Sequence, residues 1–182
     1  MSHDQFGFPV PKVEFGRDLG LDGQRYNAGT SHQVPIYLRW MRTDAFSPVA
    51  GGARPYLPFD CPPLATGSVI RATVGAALTA AGDEIGLGVS TDWMEDAPTL
   101  VTGGSIQMGN GSSQGTYFLH LFVAGRNLIR GFVFGSGSSA ADFSITGIDC
   151  ATSNRFAVYT DETTAITVYG ALVEVFIPRV YR

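Results

Sequence analysis

Charge is scarce in this 182-residue chain: Asp, Glu, Lys and Arg make up 15% of it, against about 25% in ordinary globular domains. Lysine is nearly missing. Lys12 stands alone, and the other basic residues are arginines scattered from Arg17 to Arg182. With no basic run and a net charge of −4, nucleic acid is not expected as a main partner. Histidine is limited to His3, His32 and His120, too dispersed for a metal-binding pair. The two cysteines, Cys61 and Cys150, form no Cys-x-x-Cys pair and are expected to be free, buried thiols. No uninterrupted apolar run approaches the ~20 residues of a membrane helix, so no membrane association is expected. The opening MSHDQFGFPVPKVEF lacks the charged start and apolar core of a secretion signal. A chain made in the cytoplasm and not exported is the expectation.

What is present is glycine, with 23 residues, and a texture that changes near residue 67. Pro9, Pro11, Pro35, Pro48, Pro55, Pro58, Pro62 and Pro63 all precede that point. Proline lacks a backbone donor, which rules out central sheet and long helix there. Residues 1–67 therefore read as an extended N-terminal arm and connection, rich in proline and glycine. One strand is expected near 34–42, in VPIYLRWMR. SPVAGGARPYLPFDCPPLATG reads as a long extended loop.

Residues 68–182 read as a β-sandwich domain. Short β-branched and aromatic runs recur between turn-forming residues. Strands are expected near VIRATVGAAL, EIGLGVST, TLVTGGSIQM, TYFLHLFVA, LIRGFVFG, FSITGIDCA, RFAVYT and AITVYGALVEVFIP. AAGDE, GNGSSQG, GSGSSAAD and TDETT read as turns. The alanines of RATVGAALTAAG fit a short helix equally well, and TDWMEDAP reads as one helical turn. The fold class is all-β: an antiparallel sandwich, jelly-roll-like, with an extended arm.

Two of these strands are apolar on both faces. Tyr117, Leu119, Leu121 and Val123 alternate with Phe118, His120 and Phe122. In the last strand Thr167, Tyr169, Ala171, Val173, Val175 and Ile177 alternate with Ile166, Val168, Gly170, Leu172, Glu174 and Phe176. A two-layer sandwich shelters one face of each. A neighbouring subunit, a covering loop or the chain's own arm must shelter the other. The assembly-interface candidates are Phe118, His120 and Phe122, with Phe6, Phe8, Val10, Val13 and Phe15 of the arm. Arginine in place of lysine suits such interfaces, although a GC-rich genome gives the same bias.

Reaction chemistry finds little support. His120 sits among large apolar residues with no second histidine beside it, and reads as a neutral imidazole in a core or interface. GSSQG places Ser113 in the nucleophile slot of G-x-S-x-G, but a strand follows where a helix is required. Asp92, Glu95 and Asp96, and Asp161 and Glu162, lack calcium-loop spacing and read as solvated loop charge. No catalytic, metal or cofactor residues are assigned. Trp40, Trp93 and Tyr159 are the candidates for a ligand site, with Tyr56 and Tyr169 as further rings for stacking a sugar.

In architecture and texture the whole chain resembles the small β-rich structural proteins of bacteriophage particles: capsid cement or decoration proteins, minor coat proteins and fibre-base proteins. That resemblance implies a non-enzymatic virion protein, made in the host cytoplasm. It implies a homo-oligomer, with a trimer as the first expectation, attached to other shell proteins through the arm and an apolar sheet face. The alternative is a carbohydrate- or receptor-binding module. The third is a hydrolase or lyase using paired carboxylates.

Overall fold

The computed structural model describes residues 36–47, 53–80, 83–93, 98–110, 113–135, 138–161 and 166–178. Ten strands form two antiparallel sheets, and no helix occurs among the described residues. The strands are β1 (Ile36–Arg42), β2 (Arg54–Cys61), β3 (Val69–Leu78), β4 (Glu84–Val89) and β5 (Ser105–Asn110). They continue with β6 (Ser113–Gly125), β7 (Leu128–Gly135), β8 (Ser138–Ile145), β9 (Asn154–Asp161) and β10 (Thr167–Ile177).

The larger sheet has the order β1-β10-β3-β6-β7-β8 and the smaller β2-β9-β4-β5. The pairings nest. β4 pairs with β5, β3 with β6, β2 with β9 and β1 with β10. A single long antiparallel ribbon, doubled back and rolled into two layers, gives that order, which is the jelly roll. The β7–β8 hairpin is an addition that widens one layer.

Among the described residues the sheets take in β1 and β2 as well, so the sandwich includes residues before 68. β2 is the strand that sequence reading took for a loop, because Pro55 and Pro58 lie inside it. It forms an edge of the smaller sheet, where a missing N–H can face solvent. β1 is likewise an edge strand. β8 covers much of GSGSSAAD, which reads locally as a turn but pairs with β7. RATVGAAL is strand throughout, with Ala72, Val74, Ala76 and Leu78 buried on one side. TDWMEDAP lies partly outside the described residues.

Alternation builds the core. β6 turns Tyr117, Leu119, Leu121 and Val123 inward, β7 Ile129 and Val133, and β9 Phe156 and Val158. In β10 a bulge between Val168 and Gly170 shifts the phase. Val168 therefore points inward together with Ala171, Val173 and Val175, while Tyr169 is exposed. One bulge inserts one unpaired residue and reverses the faces beyond it. The two free cysteines are both buried, and burial raises the Cys61 thiol to about 12.

The far side of the smaller sheet is covered by the chain itself. Trp93, in the β4–β5 connection, stacks on Tyr159 with ring centroids 6.1 Å apart and donates Nε1–H to the Arg155 carbonyl at 3.0 Å. Ala53, Ala157 and Leu100 complete this second cluster. Gly86 makes room for it, since a Cβ there would lie 2.7 Å from the Tyr159 ring.

Candidate functional site

The larger sheet has no such cover among the described residues. Its outward side chains form three rows across the strands, read from the pairing register. The first row runs Tyr37, Phe176, Val69, Phe122 and Arg130. The second runs Arg39, Glu174, Arg71, His120 and Phe132. The third runs Met41, Leu172, Thr73, Phe118 and Phe134. Two mainly apolar rows thus flank a row of alternating charge followed by an imidazole and a phenyl ring, and the register carries that row on to Asp142 of β8.

The rings support one another. Phe118 stacks on Phe134 at 5.1 Å, His120 on Phe132 at 5.4 Å, and Phe132 lies 5.9 Å from Phe134. Tyr37, Phe118, Phe122, Phe132, Phe134 and Phe176 are each between 37% and 59% exposed. With side chains of ~200 Å² each, these six rings present on the order of 500 Å² of aromatic surface to water. That stands at the upper end of what monomers carry, where such patches are functional. Two hollows give the face relief. One of about 320 Å³ is lined by Phe122, Arg130, Phe132 and Phe143, and one of about 240 Å³ by Tyr37, Val69, Arg71, Glu174 and Phe176.

The polar row is tuned by its surroundings. Tyr37 donates its hydroxyl to Glu174 Oε1, and that bond raises the phenol above its ordinary value. Burial, with Arg71 second, holds His120 below 6.5, so the imidazole is neutral at pH 7. Among the described residues neither Arg39 nor Arg71 closes a salt bridge.

Of the sequence candidates, the structure brings Phe118, His120 and Phe122 together on this face. It adds Tyr37, Phe132, Phe134 and Phe176, which were not singled out. The alternation in LIRGFVFG carried the signal for two of them. Phe6, Phe8, Val10, Val13 and Phe15 lie outside the described residues.

The ligand-site candidates do not form an exposed platform. Trp93, Tyr159 and Tyr56 are buried, and Trp40 packs on Phe59 at 4.6 Å. Each ring fills space that the strands would otherwise leave empty. Tyr56 is also bonded, its hydroxyl donating to the Asp44 carbonyl at 2.7 Å. Only Tyr169 of that group is exposed.

The carboxylates are engaged structurally. Asp92 accepts from the Ser90 hydroxyl and from the Thr99 N–H at 3.1 Å. Glu84 accepts from the Tyr159 hydroxyl at 2.6 Å and sits opposite Asp161 across β4 and β9. Glu95, Asp96 and Glu162 lie outside the described residues. Ser113 opens β6, with no helix following. A groove of about 630 Å³ is lined by Asp60, Asp149 and Arg155 among others. Asp60 is paired with Arg155 at 2.8 Å, and Asp149 with Arg126 at 2.8 Å. No cluster of three or more potential metal ligands occurs among the described residues.

No family model and no curated protein matches this chain. Several solved structures are weakly similar, three of them as follows. A beta-fructofuranosidase of Aspergillus kawachii, complexed with glycerol, is 10% identical with a TM-score of 0.43, over 75% of this chain and 27% of that one. A functionally unknown protein from Saccharomyces cerevisiae is 13% identical with a TM-score of 0.40, over 84% and 91%. A chain of infectious bursal disease virus, Gx strain, is 14% identical with a TM-score of 0.37, over 81% and 33%. The chain thus spans a third or less of the length of two of these proteins, and none of the three bears on its function.

Proposed function

We propose that this chain is a non-enzymatic structural protein of a virus particle, of the cement, decoration or minor coat kind. It oligomerises and attaches to a capsid or tail by burying the outer face of its larger sheet, with residues 1–35 adding a second attachment. One observation carries the reading: three ordered rows of mostly apolar side chains cover a sheet whose other side already packs the core. A face this apolar favours a protein surface over a polar small molecule. Assignment to a virion rests on the resemblance in texture. It rests also on fold-level analogy, since jelly rolls commonly build viral shells.

Particles assembled with the full chain carrying Phe118→Asp and Phe132→Asp test it. The variant should keep the far-UV spectrum of the folded sandwich and be lost from purified particles. Normal incorporation would overturn the reading. Deleting residues 1–33 should likewise leave the sandwich folded and abolish incorporation.

A further inference from the structure

We propose that the occupant of this outer face is a second copy of the chain, related by a two-fold axis that runs along the strands between β10 and β3, so that Glu174 of each copy meets Arg71 of the other. The inference rests on the reading of the face as an assembly surface and names its partner.

The middle row selects the arrangement. Arg39, Glu174, Arg71 and His120 occupy neighbouring strands at one level. An axis along the strands keeps that level and reverses the strand order of the facing copy. Placed between β10 and β3, it sets Glu174 against the partner's Arg71, twice. It also sets Arg39 against the partner's neutral His120, whose ring offers one acceptor nitrogen. Moving the axis onto β3 stacks Arg71 on Arg71, and moving it onto β10 stacks Glu174 on Glu174. Placing it between β3 and β6 buries Glu174 against Phe132. An axis lying across the strands at this level matches every charge with itself. Unpaired or like charges in an apolar interface are strongly unfavourable, which favours the axis between β10 and β3 over these alternatives. Sheets packed face to face are rotated by about 30°, but positions beside the axis move least, and Glu174 and Arg71 are those positions.

The flanking rows agree. Tyr37 falls on the partner's Phe122, Phe176 on its Val69 and Met41 on its Phe118, apolar group against apolar group, and Leu172 falls on its Thr73. Phe132 and Phe134 come to lie beside the partner's β1, the strand into which residues 1–35 lead. At ~4.8 Å per strand and ~7 Å per row, the four facing strands overlap over roughly 400 Å² in projection. Side-chain relief enlarges this area, and the contact is a small one beside the ~800 Å² per partner of a standard interface. The proposed pair is two-fold, where the sequence alone suggested a trimer.

The test uses the full chain and sedimentation equilibrium at micromolar concentrations. The wild type should be dimeric. Glu174→Arg and Arg71→Glu, each alone, should weaken the dimer by about tenfold or more, because each sets like charges together. An equimolar mixture of the two variants should restore a 1:1 dimer, since both contacts then become opposite in sign. A monomeric wild type overturns the inference. So does a wild-type dimer that neither charge reversal weakens, or a mixture that does not recover. Loss of association in Phe118→Asp, with both charge variants still dimeric, would overturn the two-fold register and leave the proposed function standing. A Phe118→Asp chain that still dimerises and still enters particles would remove both.

Discussion

Leu121 and Phe122 are neighbours on β6, and replacing each by alanine should separate folding from association. Leu121 is fully buried and Phe122 is 45% exposed. Truncating a buried leucine costs about 2–5 kcal/mol. A chain of this length loses roughly 2–4 °C of Tm per kcal/mol, so a loss near 3 kcal/mol lowers Tm by about 6–12 °C. Phe122 contributes to the isolated fold mainly through cross-strand contacts with Val69 and Arg130, worth about 1 kcal/mol or less. Its Tm cost is therefore a few degrees at most. The order reverses for association. The exposed part of the Phe122 ring is about 90 Å², worth about 2 kcal/mol when buried, or roughly 40-fold in Kd for each ring. Thermal melts by circular dichroism at high dilution read the first effect, and sedimentation equilibrium well below Tm reads the second. If Phe122→Ala destabilises the dilute chain as much as Leu121→Ala, the chain already encloses that ring with its own residues. The interface argument would then fail.

Further outcomes follow from single sites. Gly131→Ala should destabilise by roughly 1–3 kcal/mol or more, because a Cβ there would sit 2.0 Å from the His120 carbonyl oxygen. An unchanged Tm would refute the β6–β7 register. His120 is held below its ordinary 6.5 by burial and Arg71, so between the two values the unfolded chain binds the proton more readily than the folded one. Stability is then complete above that window and falls as pH drops through it. His120→Asn should flatten a Tm–pH curve between neutrality and pH 5. Asp92 and Asp149 have depressed values instead, and their contribution is lost only as pH falls below the ordinary 3.8. Cys61, raised to about 12, and the buried Cys150 should resist a thiol reagent in the native chain. Both should react in denaturant; rapid native labelling would contradict their burial.

The strands were legible wherever period-two alternation survived. Val69–Leu78 and Leu128–Gly135 stand where the pattern puts them. Misreadings came where local chemistry and tertiary position disagree. Pro55 and Pro58 argue against a strand until β2 is known to be an edge, and a run of Gly, Ser and Ala argues for a turn until β8 is known to have β7 beside it. The bulge in β10 has no sequence marker beyond Gly170, so the faces were assigned out of phase before it. Phe118, His120 and Phe122 announced the apolar face because they alternate within one segment. The row Arg39, Glu174, Arg71 and His120 could not be read in advance, since it is assembled from four strands far apart in the chain. The aromatic ligand candidates failed for a related reason: a large ring looks the same in sequence whether it faces solvent or, like Trp93, roofs a sheet.

The two prolines of β2 bear on the shape any assembly can take. An open sheet border is a template on which another chain can add a strand, and repeated addition makes a fibre. Along Arg54–Cys61 that border lacks donors at Pro55 and Pro58, which blocks stitching on this side of the molecule. If the outer face of the larger sheet is the adhesive surface, a subunit that refuses extension along this rim is suited to closed, countable complexes rather than endless ones.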